Sequence, residues 1–226
     1  MLFSRAMVTR RVNRLSRARG LRMPRFHIQF SRVFIVFATL LLSPPICGAA
    51  PASGGGIPAQ YSIAARLVVS ERILLGRETV TCTNDSPDTI EDLYLYLYAN
   101  RYRDRYSTAA REAAFYHDYR IADAAPAERG YIDINSVDID GEPVKFVVVD
   151  TLLRANLPRP LAPGETLTLA VEFILKIPAL IDRFGAEGGR YEMTDWYPRV
   201  AVYGPGGWLT YQSHYLGDPY GDFADY

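Results

Sequence analysis

Four carboxylates, Asp133, Asp138, Asp140 and Glu142, fall within one short stretch of the chain. Paired carboxylates can run acid–base chemistry on a glycosidic bond or hold a calcium ion. The flanking residues favour a plainer role. Strand alternation puts Asp138 and Asp140 on one side of an exposed hairpin end, which reads as a solvated face and turn. Metal chemistry is poorly supplied. The histidines are His27, His117 and His214, no HExxH occurs, and with Cys82 they do not form the three- or four-ligand set that zinc takes. There is no GxSxG nucleophile elbow, no GxxxxGK loop and no GxGxxG between strand and helix. Gly204-Pro205-Gly206-Gly207 is a turn, since no helix-forming stretch follows it. Asp195 beside Trp196, and the group Asp218, Asp222 and Asp225, stand out for their aromatic neighbours.

The elements that must position these residues read as strands. Tyr61–Val69 and Ile73–Thr83 alternate around Ser70-Glu71-Arg72 and predict a hairpin. Asn84–Asp88 is a dense turn signal. Leu93–Tyr98 (LYLYLY) has strict period two, so Leu93, Leu95 and Leu97 share one face. Tyr94, Tyr96 and Tyr98 share the other, a partly buried second face whose hydroxyls reach water. Ser107–Tyr119 is the one plausible helix, with an irregular excursion between strands as the alternative. Tyr131–Ile139 and Val144–Val149 flank Asp140-Gly141, a strong hairpin signal. Leu152–Leu157 is a further strand, Pro158–Glu165 a turn, and Thr166–Ile177 the longest strand candidate. Beyond Arg183, glycines interrupt aromatic-rich pieces, and Phe223–Tyr226 reads as the entry into another strand. The expected fold is all-β, a large antiparallel sandwich or curved sheet.

Composition agrees with a substantial folded body. The 226 residues are 49% hydrophobic and 22% charged, with two cysteines. That excludes a disordered polymer and a disulfide-stapled mini-protein. The zero net charge hides an asymmetry. Nine arginines lie in the first 32 residues, while from Ser53 onward 16 basic residues face 25 acidic ones, a net −9. An acidic body is a poor nucleic-acid binder. Arginines, then the apolar run Val33–Leu42, then small residues up to Ala52 form the layout of a secretory signal peptide. The run is too short to span a bilayer, so a membrane enters only through an uncleaved leader. The expected organisation is a basic leader and signal peptide over 1–52, a flexible lead-in over 53–60 and a β-domain over 61–226, exported to the periplasm or the exterior. Cleavage after Ala49 or Ala52 leaves Cys82 as the sole cysteine, expected as a small buried hydrophobe.

From Tyr61 to Tyr226 the chain resembles the amino-terminal β-domain of the membrane-alanyl-aminopeptidase-like branch of gluzincin zinc metallopeptidases. The matching pieces are VTCTNDSPDTIEDLYLYLYANRYR (Val80–Arg103), GYIDINSVDIDGEPV (Gly130–Val144), DTLLRANLPRPLAPGETLTLAVEF (Asp150–Phe173), DRFG (Asp182–Gly185), DWYPRVAVYGPGGW (Asp195–Trp208) and YLGDPYGDFADY (Tyr215–Tyr226). The WYPRVAVY piece and the ending GDPYGDFADY are the specific ones. The resemblance implies a saddle-like antiparallel domain packed on a thermolysin-like catalytic domain. That partner would hold zinc through HExxH and a later Glu and cut peptide substrates. None of those residues is in this sequence, so the resemblance implies no catalytic residue and no cofactor here, in a domain truncated at its carboxyl end. It further implies that the domain walls the active-site cleft and helps hold the substrate's free amino group. Asp195 stands where many relatives carry Gln before the Trp-Tyr-Pro, and Asp218 where relatives often carry Glu. Asp195 and Trp196 are thus the candidate substrate-binding residues. The competing readings are a stand-alone secreted β-sandwich that binds peptides or another protein through an aromatic edge, and a carboxylate-based hydrolase.

Overall fold

The computed structural model describes residues 56–226, apart from 182, 218–220, 222, 223 and 226. The expected leader and signal peptide lie outside the described residues. In chain order the elements are β1 (Ala59–Val68), β2 (Ile73–Thr83), β3 (Ile90–Tyr96), a 3₁₀ turn (Tyr98–Tyr102), α1 (Thr108–Phe115), β4 (Tyr131–Ile139), β5 (Glu142–Pro143), β6 (Phe146–Val149), β7 (Leu152–Leu161) and β8 (Thr166–Lys176). Then come β9 (Phe184–Glu187), β10 (Arg190–Met193), β11 (Arg199–Val200), β12 (Tyr203–Gly204), β13 (Gly207–Trp208) and β14 (Ala224–Asp225). The protein is all-β. One sheet has the order β14-β1-β2-β8-β4-β5 and the other β11-β3-β7-β6, with β9–β10 and β12–β13 as small ribbons. Pairing is antiparallel except between β1 and β14.

Strand alternation builds the core. On β8, Leu167, Leu169, Val171, Phe173 and Leu175 all face inward and are buried. On the second sheet Leu93, Leu95, Leu153 and Ala155 do the same, and both sets belong to one cluster. Each such large side chain contributes about 1.5–3 kcal/mol by leaving water. Gly76 is required at its place on β2. A Cβ there would sit 2.2 Å from the Phe173 ring. Cys82 is likewise a buried core residue with a free thiol, and burial pushes that thiol up to about 12.

Four local expectations are corrected. Residues expected as a flexible lead-in are packed from Gly56, because Ile57 is buried and the carbonyls of Gly56 and Pro58 accept from Asp85 and Thr83. The Asp140-Gly141 hairpin forms with both residues at positive φ, 53° and 84°, yet it lasts only two residue pairs. The chain then crosses to the second sheet, where β6 pairs with β7. β7 runs through Pro158 and Pro160 to Leu161. Those prolines fall where the β3–β7 register shifts, so no ladder N–H is missed. The tyrosine face is buried more deeply than expected. Tyr96 and Tyr98 are almost fully covered, with Tyr96 Oη donating to the Leu209 carbonyl and Trp208 packed on Tyr94. The covering strands are two residues long and separated by glycines, so no hydrophobic pattern announces them.

Candidate functional site

Asp195 follows β10 in a left-handed conformation, φ 52°, which Asp tolerates better than most residues. The turn swings its carboxylate back over the next residues. Arg199 Nη1 donates to Asp195 Oδ1 at 3.0 Å, and the two side chains are only 19% and 16% exposed. Asp195 Oδ2 has no hydrogen-bond partner among the described residues. The carboxylate lines a cavity of about 30 Å³, beside Tyr98, Arg101, Arg183 and Thr194. That volume takes one water.

Trp196 is placed differently. It does not line this cavity. Its indole lies 6.2 Å from the Phe173 ring and edge-on to Tyr197 at 5.4 Å. Tyr197 in turn meets Tyr61 edge-on. The Tyr61 hydroxyl accepts the Val200 N–H at 2.8 Å, and Val200 pairs with Leu95 in the second sheet. Trp196 therefore anchors the run to the core while Asp195 stands at its surface. Asp218 and Asp222 fall outside the described residues, as does the side chain of Asp225.

The hairpin acids are dispersed into structural duties. Asp133 accepts from Arg103 at 2.7 Å, and Asp140 Oδ1 accepts the Thr168 N–H at 2.8 Å. Glu142 is exposed. Among the described residues no group of three or more His, Cys, Asp or Glu is placed to hold a metal ion.

Several residues around the site escape a sequence reading. Arg101 is buried, and its Nη2 donates to the carbonyls of His214 and Tyr215 at 3.2 and 3.1 Å. Glu112 on α1 meets His214 Nδ1 at 2.7 Å and accepts the Tyr215 N–H at 2.9 Å. Burial pushes the Glu112 carboxyl up, but the His214 and Tyr215 hydrogen bonds outweigh it and hold the carboxyl below its ordinary value. Asp118 accepts from Arg120 and from the Tyr215 hydroxyl, and the Arg120 contact holds it well below the carboxylate range. Glu78, on the inner face of β2, is fully buried, and neither carboxylate oxygen has a hydrogen-bond partner among the described residues. Burial raises its affinity for a proton well above normal. The one sequence hint was its place among Val80 and Cys82 on an inward face.

No family model and no curated protein matches the chain. Solved structures that align with it in part are M1 zinc metallopeptidases. One from Deinococcus radiodurans is 20% identical, with a TM-score of 0.35 over 54% of this chain and 21% of that one. A mutant of the Deinococcus radiodurans enzyme bound to a Tyr-Ser-Ala substrate is 18% identical, with a TM-score of 0.39 over 68% of this chain and 28% of that one. A two-domain M1 mutant bound to L-tryptophan is 19% identical, with a TM-score of 0.36 over 54% and 21%. The chain thus spans about a quarter of the length of these structures.

Proposed function

We propose that this chain is the non-catalytic amino-terminal β-domain of an exported, aminopeptidase-like zinc metallopeptidase. It walls the active-site cleft and offers Asp195 to the free amino group of a peptide. The observation that supports this reading most is the build of the WYPRVAVY run, one of the two specific pieces of the resemblance, together with the Asp195 that precedes it. Arg199 locks Asp195, and Trp196 and Tyr197 root the run in the core. A carboxylate held this rigidly can accept from an ammonium without losing side-chain entropy. Arg199 shares its charge, so the contact is a modest positioning one.

Zinc belongs to the partner in this reading. The described residues do not fit a zinc site: Cys82 is buried in the core, and no cluster of ligands exists. The thermolysin-like partner domain would supply metal and general base. The arginine-led apolar leader supports export. Two measurements test the proposal. The purified chain is expected to bind no stoichiometric zinc and to leave aminoacyl anilides uncut. One zinc per chain with turnover would overturn it. In the complete enzyme, Asp195→Ala is expected to raise KM about tenfold with a smaller change in kcat, as loss of a charged hydrogen bond does.

A further inference from the structure

Two strand edges face each other across an open groove of about 630 Å³. One edge belongs to β6, the outer strand of the second sheet. The hairpin to β7 sets which β6 groups are free. Asn156 N–H donates to the Lys145 carbonyl, and Val149 stands opposite Leu152. Antiparallel pairing alternates, so Val147 and Val149 bond inward to β7. The N–H and C=O of Phe146 and Val148 point away from it, into the groove, and have no partner among the described residues.

The other edge is the first half of β4, which lacks a neighbour opposite β8 because β5 covers only Asp138 and Ile139. The Ile132 backbone points outward there. Its N–H donates to Asn100 Oδ1 at 2.9 Å, and its carbonyl accepts from Arg103 at 2.9 Å. Ile134, two residues on and just before the bulge, presents its backbone the same way.

Asn100 shows the width of the gap. Its Oδ1 takes the Ile132 N–H of β4, while its Nδ2 donates to the Asp150 carbonyl at the end of β6, at 3.0 Å. One buried side-chain amide thus joins the two edges as a single peptide unit would. Beyond Asn100, toward Ile134 on one side and Val148 and Phe146 on the other, the edges continue without that bridge. Toward Phe146 the two edges converge, because the Val144 N–H donates to the Val137 carbonyl at 2.9 Å, so an extended chain laid in the groove bonds along the open edge of β6, through Phe146 and Val148.

Charge narrows the occupant. Asp104, Asp133 and Asp150 line the groove against a single Arg103. Each carboxylate spends one oxygen on a neighbour, Tyr106 N–H, Arg103 and Thr108 N–H respectively, and the other has no hydrogen bond among the described residues. The wall between them is apolar, from Ile132, Ile134, Phe146 and Val148. We propose that this groove binds an extended, basic-flanked segment of another polypeptide as a strand added to the open edge of β6.

The test uses the full chain and a labelled synthetic peptide of alternating valine and threonine with a lysine at each end and blocked termini. Fluorescence anisotropy is expected to show saturable binding that weakens with salt. Val148→Pro removes an outward N–H but no β6–β7 bond, so it is expected to keep the melting temperature and weaken binding about tenfold or more. An N-methylated version of the peptide, which leaves the protein untouched, is expected to bind at least tenfold more weakly. Asp133→Asn is expected to weaken binding a fewfold. Absence of saturable binding, or equal binding of the N-methylated peptide, would overturn the proposal. So would a concentration-dependent dimer that Val148→Pro abolishes, which would give the edge to a second copy.

Discussion

The six-stranded sheet and the segment from Phe184 to Gly217 are held by different physics. In the sheet, β2 and β8 pair over eleven residues, and their inner side chains alternate into one dry cluster. In the later segment the strands are two to four residues long. There aromatic anchors such as Trp196 and Tyr197 reach the core, and polar side chains from far upstream hold the stretches between them. Tyr61 takes Val200 N–H, Tyr96 donates to Leu209, Thr151 exchanges bonds with Gln212 and Ser213, and Arg101 and Glu112 clasp 214–215. Burial builds the scaffold, and polar clamps shape the surface that carries Asp195. Regions held by few apolar contacts open first, so the two parts should respond differently to mutation and pH.

The largest effect belongs to the sheet. Phe173→Ala removes a fully buried ring that fills the space over Gly76. It is expected to cost about 3–5 kcal/mol in denaturant unfolding, and to move the whole transition rather than part of it. A shift confined to the later segment would break the distinction between the two regions.

Glu78 is the exception inside the sheet, a buried carboxyl without a hydrogen bond among the described residues. Its carboxyl binds a proton more tightly folded than unfolded. The stability it contributes is therefore full below the ordinary carboxylate range and is lost as pH rises through the raised value. Glu78→Met keeps the shape and removes the charge. It is expected to gain about 1–3 kcal/mol at neutral pH and to flatten the stability profile above the carboxylate range. Thermal melts across pH read this directly.

The clamps predict smaller, local effects. Tyr96→Phe removes the bond to Leu209 and is expected to cost about 0.5–1.5 kcal/mol, with faster amide exchange confined to the 209–213 stretch. Smallest is the acid response of the Tyr215 clasp. Glu112 and Asp118 have lowered values when folded, so their contribution is present above the ordinary carboxylate range and lost as pH falls through those values. Asp118→Asn is expected to remove part of this acid-induced opening, measured by exchange at the Tyr215 amide. An identical acid response in the variant would place the opening elsewhere.

The same division explains what the residues disclosed in advance. Alternation in Leu93–Tyr96 and Thr166–Lys176 and the Asp140-Gly141 turn are local signals, and they formed, although the hairpin stopped after two pairs. Where β6 went was not legible, because VKFVVV suits either partner and only the two-pair hairpin length decides. The clamps were invisible for a similar reason. Arg101 and Tyr215 lie 114 positions apart, and nothing near either residue marks the other. Asp195 was visible through the resemblance, but its ion pair with Arg199 needed the left-handed turn to bring it about.

The central claim is that this β-domain serves a zinc-bearing peptidase partner. The most direct check is to isolate the natural polypeptide with an antibody against this domain, then measure its mass, zinc content and aminoacyl-anilide turnover. The account predicts a longer chain with one zinc and measurable turnover. A zinc-free product no longer than this domain, or turnover by this domain alone, would contradict it.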